Sequence, residues 1–251
     1  MYRELGPDDH RRVIGIDAAS VPDVVVYVGA FAAERTAARF ARYLEDVREL
    51  PRLCSWIGTK HGLRVGLSAG MGSPLAAMLV HTWCGAGVPV ILQLGWYGAL
   101  QEGSELGDVA VPRHAAREDG VSDWYLPKGI LADATPELAT AITAGLRSRG
   151  VTVHEQAIFS TPAMLAESRE IISDWQRHGW QGVDMETAAT FAVAKSMGAT
   201  RAAALIRMDD LIAEQDSMAD DWPRERLHIL RAREELVLDV ALAAVAGLSR
   251  P

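Results

Sequence analysis

Val24–Val25–Val26–Tyr27–Val28 is a run of β-branched and aromatic residues that stops at Gly29. A short, continuously apolar run bounded by a turn residue reads as a strand buried on both faces. Working outward from it, the pattern repeats. Arg64 to Leu67 reads as a second strand, and Gly70–Met71–Gly72–Ser73–Pro74 as a turn into a helix that runs through His81. Val88 to Leu94 (VPVILQL) is a third strand, ending at Gly95, and Gly107 to Pro112, Val151 to Phe159 and Ala202 to Met208 supply further strands. Helical stretches lie between them: Glu34 to Leu50, Pro136 to Arg149 closed by Gly150, Asp184 to Met197 closed by Gly198, and Pro223 to Leu248. A glycine just past the last helical residue is a favoured stop. Strands that alternate with helices, each strand nearly continuously apolar, predict an α/β fold whose sheet is covered on both faces. No linker, repeat or low-complexity tract interrupts residues 1–251, so a single domain is expected.

Composition narrows the partners. Of 251 residues, 49% are hydrophobic and 23% charged, an ordinary globular balance with ample material for a core. A net charge of −8 argues against nucleic acid, which needs clustered Lys and Arg. Cys54 and Cys84 stand in unrelated contexts and the histidines show no ligand spacing, so neither a disulfide framework nor a metal site is expected. No apolar run approaches the roughly 18 residues of a membrane span, and Met1 to Arg12 carry no apolar signal segment. A cytoplasmic location follows as the expectation.

Ligands of such sheets bind beyond the carboxyl ends of the strands. Four segments occupy that position. Gly66 to Gly72 is either a plain strand–turn–helix or a backbone cradle whose free helix N–H groups meet a ligand. In Gly95–Trp96–Tyr97–Gly98, the two aromatics either plug the core or line a pocket. In Val183–Asp184–Met185–Glu186, the acids either cap the following helix or, with Glu186 turned inward, accept hydrogen bonds from vicinal sugar hydroxyls. In Arg207–Met208–Asp209–Asp210, Asp210 either caps the next turn or serves as a general acid, since a partly buried carboxyl beside another carboxylate holds its proton longer.

Taken together, from about Val13 to Leu248, the chain resembles the uridine phosphorylase and hexameric purine nucleoside phosphorylase superfamily. The resemblance is strongest in Ala116–Arg117–Glu118–Asp119–Gly120–Val121–Ser122–Asp123–Trp124–Tyr125–Leu126–Pro127, which is similar to a family R-E-D-G-x-S-x-x-Y-L-P run. Trp175–Gln176 followed by Val183 to Glu186 looks like the uridine-type segment, and Ala204 to Asp210 like the purine-type strand ending in V-S-D. The resemblance implies a three-layer α/β/α domain with a mixed, partly barrel-like sheet, and a homo-oligomer, a dimer or a trimer of dimers, with sites completed across subunits. It implies that Met185 and Glu186, beside Asp184, hold the ribose. Asp210 aligns with the acid that protonates the leaving base, with Arg224 near an assisting arginine. Phe159, Met164 and Leu165 fall where the base is held, with Trp96 and Tyr97 nearby, and Arg52 where a neighbouring subunit donates an arginine to phosphate.

The sequence departs from the family at the nucleophile. Gly29–Ala30–Phe31–Ala32–Ala33–Glu34–Arg35 replaces G-D-P-x-R, leaving alanine at the arginine position and Arg35 as a displaced substitute. Gln93 stands where a second phosphate arginine is expected, Trp96 where a hydroxyl is expected, and Val13 where the family keeps a histidine for the 5′-hydroxyl. Charge-assisted bonds contribute about 1.5–3 kcal/mol each, so a dianion loses much of its hold. The expectation is therefore N-glycosidic cleavage of a nucleoside-like substrate with water as acceptor. The alternatives are phosphorolysis at a rebuilt site and a non-catalytic nucleoside-binding homologue. No cofactor is expected beyond inorganic phosphate as a co-substrate.

Overall fold

The computed structural model describes residues 4–214 and 223–248. In chain order the elements are α1 (Pro7–Ile14), β1 (Val24–Gly29), α2 (Ala33–Ala41), β2 (Glu45–Glu49), β3 (Ser55–Lys60), β4 (Leu63–Gly70), α3 (Ser73–Ala86), β5 (Val90–Ala99), β6 (Val109–Ala110), β7 (His114–Arg117), β8 (Ala132–Asp133) and α4 (Pro136–Ser148). They continue with β9 (Val153–His154), β10 (Ile158–Ser160), α5 (Arg169–Arg177), β11 (Gly182–Asp184), α6 (Thr187–Ser196), β12 (Thr200–Asp210) and α7 (Arg224–Leu248). All twelve strands join one mixed sheet. Its main path runs β2-β3-β4-β1-β5-β11-β10-β7-β8, with β12, β6 and β9 branching from β5.

The opening apolar run explains the layering. Val24, Val26 and Val28 point into one core and Val25 and Tyr27 into the other, as a period-two strand between two helical layers must. Helices α1, α3 and α6 pack together, and α4 packs on α7. β1 lies parallel to both β4 and β5, and β12 runs parallel along β5. The expected α/β fold with a mixed, helix-flanked sheet is the one observed.

Several local expectations are corrected. The helix expected from Glu34 to Leu50 ends at Ala41, and Glu45–Glu49 forms β2 instead. This segment is made of good helix formers, but β3 offers it an open ladder edge, and pairing there outweighs propensity. β3 itself escapes the sequence reading. Its signal is Lys60–His61–Gly62–Leu63, a two-residue turn with φ of 53° at His61 and 78° at Gly62, the left-handed pair that a tight hairpin requires. The strand expected to end at Leu94 runs on to Ala99, so Gly95 to Gly98 is strand rather than loop. Val151 to Phe159 divides into β9 and β10, Gly107 to Pro112 shrinks to Val109–Ala110, and α6 begins at Thr187 because Asp184 still belongs to β11.

One row of buried polar residues crosses the sheet. Ser55, Ser68, Tyr27 and Gln93 are neighbours in register on β3, β4, β1 and β5. The Ser55 and Ser68 hydroxyls lie 2.6 Å apart, Trp83 Nε1 donates to Ser68 Oγ at 2.8 Å, and Tyr27 OH donates to the Gly70 carbonyl at 2.9 Å. Ser55, Ser68 and Tyr27 are satisfied internally, as burial demands, whereas Gln93 Oε1 is left without a partner. The row leads, through Gln93, to the acids at the head of α6.

Close backbone contact fixes β11 against β5. A methyl on Gly182 would fall inside the Tyr97 ring and 2.5 Å from the Gly98 carbonyl oxygen, whereas one on Gly247, in α7, would meet open space. Gly182→Ala is expected to destabilise the protein by about 1–3 kcal/mol, and Gly247→Ala to stabilise it by up to about 1 kcal/mol. Denaturant titration of both variants checks the pair, and equal effects would contradict the contact.

Candidate active site

Asp184 closes β11 and is buried among four donated hydrogen bonds. Its Oδ1 accepts from Ser160 Oγ at 2.6 Å; its Oδ2 accepts from Gln93 Nε2 at 3.0 Å and from Thr187 at both backbone nitrogen (2.9 Å) and hydroxyl (2.5 Å). Ser160 Oγ in turn accepts from Ala188 N at 2.9 Å. The three-residue spacing from Asp184 to Thr187 is that of a helix cap, so the capping alternative for Asp184 is what forms. One carboxylate thus ties β10, β5 and β11 to the start of α6.

That arrangement sets the direction of Glu186 at the cap of α6. Its side chain is buried, Oε1 accepts from Gly72 N at 2.6 Å, and Met185 O accepts from Ser73 Oγ at 2.6 Å. Gly72 takes φ 83°, which aims its N–H at the carboxylate and favours glycine. Oε2 lies over Gly29, where a methyl would stand only 2.5 Å away, and Gly95 faces Gly29 closely from β5. Bare backbone at the end of β1, in the turn between β4 and α3 and within β5 therefore surrounds one inward-turned carboxylate. A carboxylate so placed accepts hydrogen bonds from neighbouring hydroxyls of a small polyol.

The electrostatics are tense. Burial, and then the charge of Asp184, push the Glu186 carboxyl up to about 8, against the Gly72 and Met185 backbone donors that pull it down. Burial also raises Asp184, despite its donors. No positive side chain hydrogen-bonds to either acid among the described residues.

Gly29, Gln93, Asp184, Met185 and Glu186 are brought together here. Asp210 stands across β5: Gly98 pairs with Val183 on one side and Asp209 on the other, and Ala99 with Gly182 and Asp210. Asp210 forms an ion pair with Arg207 Nη2 at 2.5 Å and caps the next turn by accepting from Ile212 N at 3.1 Å and Ala213 N at 2.9 Å. Its partner is thus Arg207; Arg224 is exposed at the start of α7.

The base-stacking expectation for Phe159 needs correction. Its ring is 2% exposed, with the Trp175 and Trp180 indoles each 4.5 Å from its centroid, so its faces are already covered. Leu211 lies over Gly98 beside this cluster. Leu165 is 86% exposed, on the turn Met164–Ala166, so it lines no pocket within this chain. Tyr97 is a core plug, and Trp96 packs edge-on against Phe40 at 6.4 Å. Arg35 and Arg52 are exposed. The best-matching stretch turns out to be scaffold: Arg117 donates to Ser122 Oγ, to Asp123 and to the carbonyls of Leu126, Pro127 and Ile130, and Asp119 accepts from Ser122. Sequence reasoning missed Ser160 and Thr187, whose positions depend on which strands meet.

The raised Glu186 has a stability signature. Between about pH 4.5 and about pH 8 the folded protein holds a proton that the unfolded chain has released, so stability is present below that window and lost as pH rises through it. Glu186→Gln is expected to melt with the wild type near pH 4.5 and several degrees above it at pH 8.5, at about 2–4 °C per kcal/mol. Calorimetry across this range checks it; parallel melting curves would contradict the raised proton affinity.

Comparison with known proteins places this geometry. The family model described as the phosphorylase superfamily matches residues 24–245. The chain is 30% identical over 181 residues to a guanosine phosphorylase of Halorubrum lacusprofundi, covering 72% of this chain and 75% of that protein. It is 30% identical over 213 residues to a purine nucleoside phosphorylase of Myxococcus xanthus, covering 80% and 85%. In fold it is similar to the uridine phosphorylase of Vibrio fischeri ES114, with a TM-score of 0.79 over 94% of this chain and 95% of that one, at 22% identity. With a family model spanning most of its length and relatives at this identity, the chain belongs to the phosphorylase superfamily.

Proposed function

We propose that the protein cleaves the N-glycosidic bond of a nucleoside and transfers the pentose to phosphate. The single observation that carries the reading is Glu186: a buried carboxylate, braced by Gly72 and by the Asp184 network, with Oε2 directed over the bare backbone of Gly29. The relatives named as guanosine, purine nucleoside and uridine phosphorylases support the reaction and its acceptor. Cleavage passes through an oxocarbenium-like state, so the sugar must be held, the departing ring must be relieved of charge, and a nucleophile must approach the opposite face. Glu186 accepts from the 2′- and 3′-hydroxyls. Asp210, oriented by Arg207 and the turn that follows, faces the departing ring. The exposed Arg52 supplies phosphate with a cation from a second copy, in a homo-oligomer.

A second reading, water as acceptor, is favoured by Gln93. Its amide spends both hydrogens, on Asp184 and on Thr187 Oγ1 at 2.9 Å, and offers phosphate neither charge nor a free donor. Arg35 does not compensate, being exposed on α2.

Incubation with a nucleoside panel, with and without inorganic phosphate, separates the two. Phosphorolysis predicts base release only with phosphate and a sugar 1-phosphate product; hydrolysis predicts release without it and free sugar. Glu186→Ala is expected to reduce kcat/KM by at least about 100-fold, the loss of charge-assisted bonds to two hydroxyls. Asp210→Asn is expected to slow purine nucleosides by roughly 100-fold or more. Unchanged turnover in either variant removes that residue from the mechanism.

A further inference from the structure

Gln93 is fully buried on β5, in register with Tyr27 of β1 on one side and Ala203 of β12 on the other. Its Nε2 spends both hydrogens, on Asp184 Oδ2 at 3.0 Å and on Thr187 Oγ1 at 2.9 Å, while Thr187 Oγ1 itself donates to Asp184 Oδ2. Its Oε1 is buried without a partner. A buried acceptor left unpaired is costly, so the amide holds this orientation for the sake of its donors. Turning it over would bring a carbonyl oxygen against the carboxylate.

The groups around Asp184 and Glu186 decide how much charge the two acids carry. Tyr27 faces them from β1 and stays neutral, its phenol raised well above its ordinary range by burial and by both carboxyls. Ser160 comes from β10, Gly72 and Ser73 from the start of α3, and Thr187 from α6, and none of these is charged. Two carboxyls this deep, with no cation bonded to either, resist ionising together and share one proton near neutral pH. The donors are unevenly divided between them. Four bonds reach Asp184, from Ser160, Gln93 and Thr187, whereas Glu186 draws on the Gly72 and Met185 backbone. An arginine at position 93, which the family resemblance leads one to expect, would add the charge that lets both acids ionise; the amide adds a donor and no charge.

We propose that Gln93 is a positioning residue that, by donating to Asp184, keeps that acid the anion of the pair and leaves the shared proton on Glu186. A protonated carboxyl spends one oxygen as a donor, so Glu186 must lose this proton before it accepts from two hydroxyls. Gln93 thereby sets the acid side of the pH profile. This last step rests on the proposed reading of Glu186 as the sugar-holding group; the placing of the proton does not.

The test is infrared spectroscopy of the protonated carboxyl at about pH 6.5, between the ordinary and the raised Glu186 values. The protein is labelled with 13C at its glutamate or its aspartate carboxyls. In the wild type the band is expected to shift with the glutamate label and to vanish in Glu186→Gln. In Gln93→Met, which keeps the side-chain length but donates nothing, it is expected to shift with the aspartate label instead. Gln93→Asn, whose shorter amide withdraws its donors, serves if Gln93→Met does not melt cooperatively. A wild-type band that follows aspartate, no protonated band, or a band that still follows glutamate alone in the folded variant overturns the proposal. In the same variant the acid limb of kcat/KM is expected to move down by about one pH unit or more, which a merely structural loss would not do. The infrared result with no cleavage of any nucleoside would keep this role and remove the proposed reaction. Cleavage with the proton on Asp184 in the wild type would do the reverse.

Discussion

The candidate site depends on burying one carboxylate, Asp184, where water cannot solvate it. An isolated buried charge is prohibitive, and four converging donors make it tolerable. Those donors come from β5, β10 and the first turn of α6, so the requirement of the acid becomes a requirement on the fold. The strands must meet in this register, or the charge is orphaned. Breaking such a network by removing one member costs about 3–5 kcal/mol in other proteins, a large share of a domain's net stability. Glu186, two residues on, inherits its position from this constraint.

The same constraint creates the tension on which the chemistry draws. Glu186 is buried beside Asp184 and its backbone donors do not offset burial and that charge, so it holds its proton where an exposed glutamate would not. In the proposed reaction, hydroxyl donors of the sugar favour the ionised form of this carboxyl. Stability is given up at the candidate site, as is expected where local rules are broken for a purpose.

The layered fold was legible because β1, β5 and β12 are apolar on both faces, a signal that depends on the strand alone. Glu186 and Asp184 were legible as a pair at a helix head, with both the capping and the ligand readings open. What was not legible depends on partners. β2 is a strand only because β3 stands beside it, and Phe159 is unavailable to a base only because Trp175 and Trp180 fold onto it. The Arg207 pairing with Asp210 turns on the register of β12, which shifts between Arg207 and Asp209, a bulge that no periodicity announces.

The open margin of the sheet has a consequence for behaviour in a crowded solution. β2 is exposed at all five positions and carries Glu45, Asp46, Arg48 and Glu49 along a free hydrogen-bonding rim, while β8 at the other end is only two residues long. A foreign strand that approached the first would meet charges it must strip of water, and one that approached the second would find too little ladder to hold. Both ends of the main sheet path thus disfavour strand-to-strand association with another molecule.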